Sequence, residues 1–216
     1  MKTLKLTSKD FKKSDSYWSD YIGKENLSDY DGNVEIAESL GYVRFDSINV
    51  KGYLLAGTGS GIEAGSGIKA GEGIKAGWGI KAGEGIKAGW GIKAGEGIEA
   101  GEGIKAGWGI KAGEGIEAGW GIVSGLSITC KLVLSFKYRL FAGVAWYRSI
   151  DNEDKKVICG KLEGGTVCYG DVEETGLPEE AVKTEEPAEE SFTIDGVRYV
   201  VTDDLRKALK AIMETK

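Results

Sequence analysis

The chain contains no histidine. That absence removes the commonest general base, the Ser-His and Cys-His nucleophile pairs, and imidazole ligation of metals. Proline is scarce, with 2 residues in 216, so neither a proline-rich linker nor a collagen-like chain fits. Three cysteines, Cys130, Cys159 and Cys168, form no CxxC pair and leave one over. That usage points to a reducing compartment rather than a disulfide framework or a zinc site. Long hydrophobic runs are also lacking. The most apolar stretch, residues 132–146, is interrupted by Lys137 and Arg139 and is too short to span a bilayer. The opening Met1-Lys2-Thr3-Leu4-Lys5-Leu6 has no apolar core of a signal peptide. The expectation is a cytoplasmic protein with no membrane segment, no cofactor and no metal.

What the chain has in abundance is glycine, 35 residues, most of it in a repeat. From residue 61 to 122 the hexapeptide Gly-x-Gly-Ile-Lys/Glu-Ala recurs without a break, with isoleucine at every sixth position from Ile62 to Ile122. Position x is filled mainly by glutamate and tryptophan in near alternation: Glu72, Trp78, Glu84, Trp90, Glu96, Glu102, Trp108, Glu114 and Trp120. Ile, Ala and x all carry even numbers, and the same parity stays apolar beyond the repeat, from Leu126 to Val144. A strand turns alternate residues to opposite faces, whereas a helix would scatter a period of six around its circumference, so the repeat reads as β structure.

Glycine weakens an ordinary strand, so this repeat folds only where glycine takes turns or close-packed positions that other residues cannot occupy. A solenoid meets that condition, with Ile inward and glycine at the corners. Two coil lengths remain open. With three hexapeptides per coil, Trp90 stacks on Trp108, and Lys75, Lys93 and Lys111 align. With two, Trp78 stacks on Trp90 and Trp108 on Trp120, while Glu72, Glu84 and Glu96 form a like-charge ladder. A silk-like antiparallel sheet is a third arrangement, disfavoured because its edges would be open to aggregation.

The string Ile74-Lys75-Ala76-Gly77, repeated through the segment, resembles the Ile-Gly-Ala-Gly units of the left-handed hexapeptide-repeat β-helix family. The resemblance is confined to the repeat, under a third of the chain, and implies a β-solenoid fold. Position x, small in that family, is Glu or Trp here, and the histidine on which its acyl-transferring members rely is missing. The resemblance therefore implies the fold and not the activity.

The chain as a whole reads as mainly β, in five parts. Residues 1–56 form an N-terminal cap, with a short helix over 34–41 and strands over 42–45 and 48–55. Residues 57–124 are the solenoid, and residues 125–170 cap or continue it. Residues 166–190 hold nine acidic groups against one basic, together with Pro178 and Pro187, so 171–190 reads as an acidic linker. Residues 191–216 read as a small ββα unit. An Asp195-Gly196 turn joins two strands, Thr202 caps a helix, and Leu205, Leu209 and Ile212 share one helix face. Such a unit buries too little surface to stand alone, so it is expected to dock on the body, on a second copy to give a homo-oligomer, or on a partner.

No catalytic constellation emerges. Gly65-Ser66-Gly67-Ile68-Lys69-Ala70 lacks the Gly-Lys-Ser/Thr ending of a phosphate loop, and Cys130 falls on the apolar parity and reads as core. The candidate binding surface is the x series: Trp78, Trp90, Trp108 and Trp120 as aromatic anchors, with Glu72, Glu84, Glu96, Glu102 and Glu114 supplying spaced negative charge. The expected partner is a protein, a basic nucleic-acid-binding complex, with no direct contact to nucleic acid. In its most concrete form the chain is a non-catalytic inhibitor from a phage or mobile element, of the anti-CRISPR type, aimed at a host defence complex. The alternative is a self-assembling solenoid scaffold.

Overall fold

The computed structural model describes residues 1–179, 191–194 and 197–200. The chain divides into two units, Met1–Leu177 and Pro178–Lys216. The first is a β-solenoid of about eight turns.

Each Ile-Lys/Glu-Ala triplet is a short strand whose Ile and Ala are buried, as in Ile74–Ala76 and Ile92–Ala94. Each strand pairs in parallel with the third strand along, residue on like residue. Ile74 pairs with Ile92, Lys75 with Lys93 and Ala76 with Ala94; Ile80 pairs with Ile98, and Ile86 with Ile104. The coil is therefore three-sided, one hexapeptide to a side, which excludes both the two-hexapeptide coil and the silk-like sheet. The first face takes in Leu54–Ala56, Ile74–Ala76, Ile92–Ala94, Ile110–Ala112 and Ile128–Thr129. The second takes in Gly41–Phe45, Ser60–Ala64, Ile80–Ala82, Ile98–Ala100 and Ile116–Ala118. The third takes in Ile48–Val50, Ile68–Ala70, Ile86–Ala88, Ile104–Ala106 and Ile122–Ser124. The long strand Val133–Ala142 rounds a corner, placing Leu134 on Ile116 of the second face and Leu140 on Ile122 of the third.

The coil stack is closed by hydrogen bonds even at its corners. Trp90 N donates to Glu72 O at 3.1 Å, and Trp108 N donates to Trp90 O at 3.2 Å. No glycine from 61 to 125 has a positive φ, so the repeat uses glycine for space rather than for a left-handed backbone. Its two glycines are not equivalent. A Cβ on the one after alanine would collide with the carbonyl oxygen of the preceding coil, as Gly95 would with Gly77. The one before isoleucine is less confined: a Cβ on Gly97 would sit 3.5 Å from Gly115 O, an ordinary contact.

Residues 1–56 add coils to the same stack. Lys2–Leu6 and Gly32–Ile36 head the first face in parallel register, and Trp18–Tyr21 pairs with Gly41–Phe45 on the second. Phe11–Lys13 runs antiparallel to Trp18–Tyr21 and covers that end, with Phe11 packed edge-on against Tyr21 and Phe45. The helix expected over 34–41 is absent. Val34 and Ile36 are buried at strand spacing between two ladder partners, and pairing to both neighbours overrides local helix propensity. The single strand expected over 48–55 is two, Ile48–Val50 and Leu54–Ala56, on different faces. The acidic linker begins later than expected, because Asp171–Glu174 pairs with Lys156–Cys159 as the last strand of the first face. In the second unit, Ser191–Ile194 and Val197–Val200 form an antiparallel pair. The helix expected after Thr202 lies outside the described residues.

This packing can be tested at two kinds of position. Ile92 is 1 % exposed inside the stack. Ile92→Asp places an unpaired charge there and should abolish cooperative melting and the β signal in circular dichroism; unchanged melting would refute the inward-Ile packing. Gly95→Ala should destabilise strongly. Gly97→Ala should stay within about 1 kcal/mol of wild type, since alanine is intrinsically the better strand residue. Equal melting temperatures for the two variants would show that corner crowding is not what keeps the glycines.

Candidate functional site

Because three hexapeptides make a coil, the x series divides among three edges. Glu72, Trp90, Trp108 and Leu126 run along the edge between the third and first faces. Trp78, Glu96 and Glu114 lie between the first and second faces, and Glu84, Glu102 and Trp120 between the second and third. The nine expected contact residues therefore do not form one column. Their near alternation in sequence is an alternation between edges.

The edges differ in character. On the first, the Trp90 and Trp108 rings lie parallel, 5.3 Å between centroids and 7° between planes, and remain 46 % and 45 % exposed. On the second, Trp78 is half-buried against Tyr42, which continues to Trp18, with Arg44 over the Trp18 ring. Trp78 is thus less open to a partner than Trp90, Trp108 and Trp120. Tyr42 Oη donates to Glu96 Oε2 at 3.0 Å, and burial followed by that carboxylate holds the Tyr42 phenol well above its usual range. On the third, Trp120 is 53 % exposed, beside the Glu84 and Glu102 carboxylates.

The side chains at strand centres carry a sharper pattern. Lys75, Lys93 and Lys111 stack on the first face, and Lys69, Lys87 and Lys105 on the third. All three glutamates that replace lysine in the repeat, Glu63, Glu99 and Glu117, fall on the second face. There the ladder reads Asp20, Arg44, Glu63, Lys81, Glu99, Glu117. Signs alternate to Glu99, with Lys81 Nζ 3.1 Å from Glu99 Oε2 and Arg44 Nε 2.8 Å from Asp20 Oδ1. From Glu99 onward the ladder is acidic. A groove of about 560 Å³ on this face is lined by Glu96, Glu99, Glu114, Glu117 and Glu163, with Lys81 as its single basic side chain. A second groove, of about 690 Å³, runs along the first face between the Trp90–Trp108 pair and the lysine row.

Sequence reasoning passed over one feature, the excursion that follows Ala142. Trp146 is 92 % exposed and packs edge-on with Tyr147, whose hydroxyl donates to Gly107 O at 2.8 Å. Gly107 immediately precedes Trp108, so this pair is tied to the first edge. An aromatic pair shortly before the polar run 151–156 was the available signal.

Chemically reactive groups are muted. Burial pushes the Cys130 thiol up to about 12 and the Cys159 thiol up to about 11, so neither is a thiolate at neutral pH. Among the described residues, no three His, Cys, Asp or Glu side chains are grouped to hold a metal ion, and no helix is long and apolar enough to cross a membrane. What the described residues do present is surfaces of opposite sign on different faces.

Glu63 offers a check on the second-face electrostatics. Its Oε2 is buried without a hydrogen-bond partner, and desolvation raises its carboxyl pKa despite Arg44 and Lys81 nearby. A carboxyl whose folded pKa is raised costs stability above that pKa and none below its unfolded value. Glu63→Gln should therefore raise the melting temperature at pH 7. The gain should shrink as pH falls through the raised pKa and vanish below the ordinary glutamate value of about 4.5. A pH-independent difference would mean that the effect is packing.

No protein-family model, no curated protein and no solved structure matches this chain.

Proposed function

We propose that this protein is a non-catalytic binding rod whose second face docks on a basic protein surface. The observation that carries the reading is the sorting of charge. Ten hexapeptides offer the same strand-centre position to Lys or Glu, and glutamate occupies it only on the second face. Glu96 and Glu114 on the adjoining edge extend the same acidic groove. Among the described residues, Glu96, Glu114 and Glu117 make no ion pair, which leaves their charge available to a partner. A stack hydrogen-bonded through its corners is rigid, so little ordering is lost on binding. Acidic groups held at fixed spacing suit a cleft that otherwise takes a nucleic-acid backbone. The concrete form of this reading is an inhibitor of a nucleic-acid-handling defence complex.

The first test uses a synthetic arginine-rich peptide as the basic probe, titrated calorimetrically at low salt. Wild type should bind it, and E96Q/E99Q/E114Q/E117Q should bind at least tenfold more weakly with a shallower salt dependence. Equal affinity removes the acidic groove from the function. A light-scattering concentration series addresses the alternative of a self-assembling scaffold: discrete particles at all concentrations support the binding role, and steady growth supports assembly.

A further inference from the structure

We propose that the first face and its tryptophan edge form a second site, one that binds single-stranded nucleic acid. This runs against the expectation of no direct contact with nucleic acid. Three independent features converge there. The first is the charge: Lys75, Lys93 and Lys111 stand in register on successive coils, about 10 Å from first to last, and make no ion pair among the described residues. An unpartnered row of like charge is electrostatically unfavourable in the free protein, and that cost is relieved when a polyanion lies along it. The row on the third face shares its groove with two glutamates, Glu84 and Glu102, whereas the first-face groove holds one, Glu72, so the first face is the less acidic of the two.

The second feature is aromatic. Trp90 and Trp108 stack parallel on one wall of the groove, each nearly half exposed beside the lysine row, with Glu72 and Leu126 next along the same edge. Trp146 and Tyr147, held to Gly107 by the Tyr147 hydroxyl, place further exposed rings on the same edge. The third feature is the floor. Gly73, Gly91 and Gly109 present bare backbone between the ring wall and the lysine wall. Flat bases on one side and phosphates on the other match that cross-section. Stacking platforms beside a cationic track are how sequence-tolerant single-strand binders work. A duplex, whose bases are already stacked and paired, cannot use the rings.

This inference does not rest on the protein-partner reading. It uses a different face and different residues, so either can fail alone.

The probe is an oligothymidylate of about 12 nucleotides, titrated by tryptophan fluorescence at several salt concentrations. Wild type should be quenched, with log K falling against log salt at a slope of about −2, from three lysine contacts at about 0.7 each. K75Q/K93Q/K111Q should bring the slope close to zero, whereas K69Q/K87Q/K105Q should bind like wild type. W90A/W108A, which lacks the reporter rings and is followed by anisotropy of a fluorescein-labelled oligothymidylate against wild type, should bind roughly 5- to 150-fold more weakly per base unstacked, with the slope unchanged. Circular dichroism confirms the fold of each variant. Should the triple first-face variant not fold, K93Q alone is expected to reduce the slope by about 0.7. Absence of quenching overturns the proposal, as does a slope indifferent to the first-face lysines. Binding to duplex DNA or to dextran sulfate as tight as to the oligonucleotide, with no loss in W90A/W108A, overturns it in favour of a generic polyanion surface. Rods that associate with one another in sedimentation and ignore the oligonucleotide overturn it in favour of pairing between basic and acidic faces.

Discussion

The rest of the structure depends on how closely one coil sits on the next. From Gly83 to Gly125, the glycine that follows each strand lies against the carbonyl of its counterpart on the preceding coil, with no room for a Cβ. That approach lets the corner amides reach the corner carbonyls of the preceding coil, so the backbone ladder continues around the bends. A buried backbone must have its polar groups paired, and a narrow three-sided coil has few side chains with which to pair them. Glycine at the corner solves the problem geometrically. The repeat therefore keeps glycine there while x, which points away from the coil axis, is free to vary.

In-register stacking has a second consequence. Each strand-centre residue lies directly over its counterpart one coil away, about 4.8 Å distant, so every choice made at that position is read against the same position on the coil before. Like charges in such a ladder repel, and opposite charges in it attract. The second face follows the favourable pattern through Asp20, Arg44, Glu63, Lys81 and Glu99, which explains why Lys81 is the one lysine among that face's repeat positions. The first and third faces do not follow it. Their lysine rows are stabilised by nothing in their own ladder, and the proposed nucleic-acid site is distinguished from the third-face row by the tryptophan edge beside it.

Two grooves of opposite character thus lie on adjacent faces of one rigid stack. The acidic one is flanked by Tyr42, whose phenol is spent on Glu96, and the basic one by the half-exposed Trp90 and Trp108 indoles. On the two proposals above, one face would engage a basic protein and the next a single strand, a combination suited to the boundary between a nucleic-acid-handling protein and its nucleic acid. The chain needs no reactive group for that role, and its thiols are either buried and protonated, as with Cys130 and Cys159, or isolated at the surface, as with Cys168.

Residue parity and the hexapeptide period determined the strands, the inward isoleucines and the solenoid, because a hydrophobic period of two is a property of any extended chain. The consequences of a three-hexapeptide coil, the Trp90–Trp108 stack and the aligned Lys75, Lys93 and Lys111, were legible as one of two alternatives. Choosing between them was beyond the sequence, because coils of two and of three hexapeptides both bury every isoleucine. Nor could the sequence show the division of the tryptophans and glutamates among three edges, or the gathering of Glu63, Glu99 and Glu117 on one face. The strand at Gly32–Ile36 was hidden for the same reason: its ladder partners, Lys2–Leu6 and Leu54–Ala56, are far from it in the chain. Composition and period are local; which residue lies over which is decided by the number of strands in a turn, and only the closed coil sets that number.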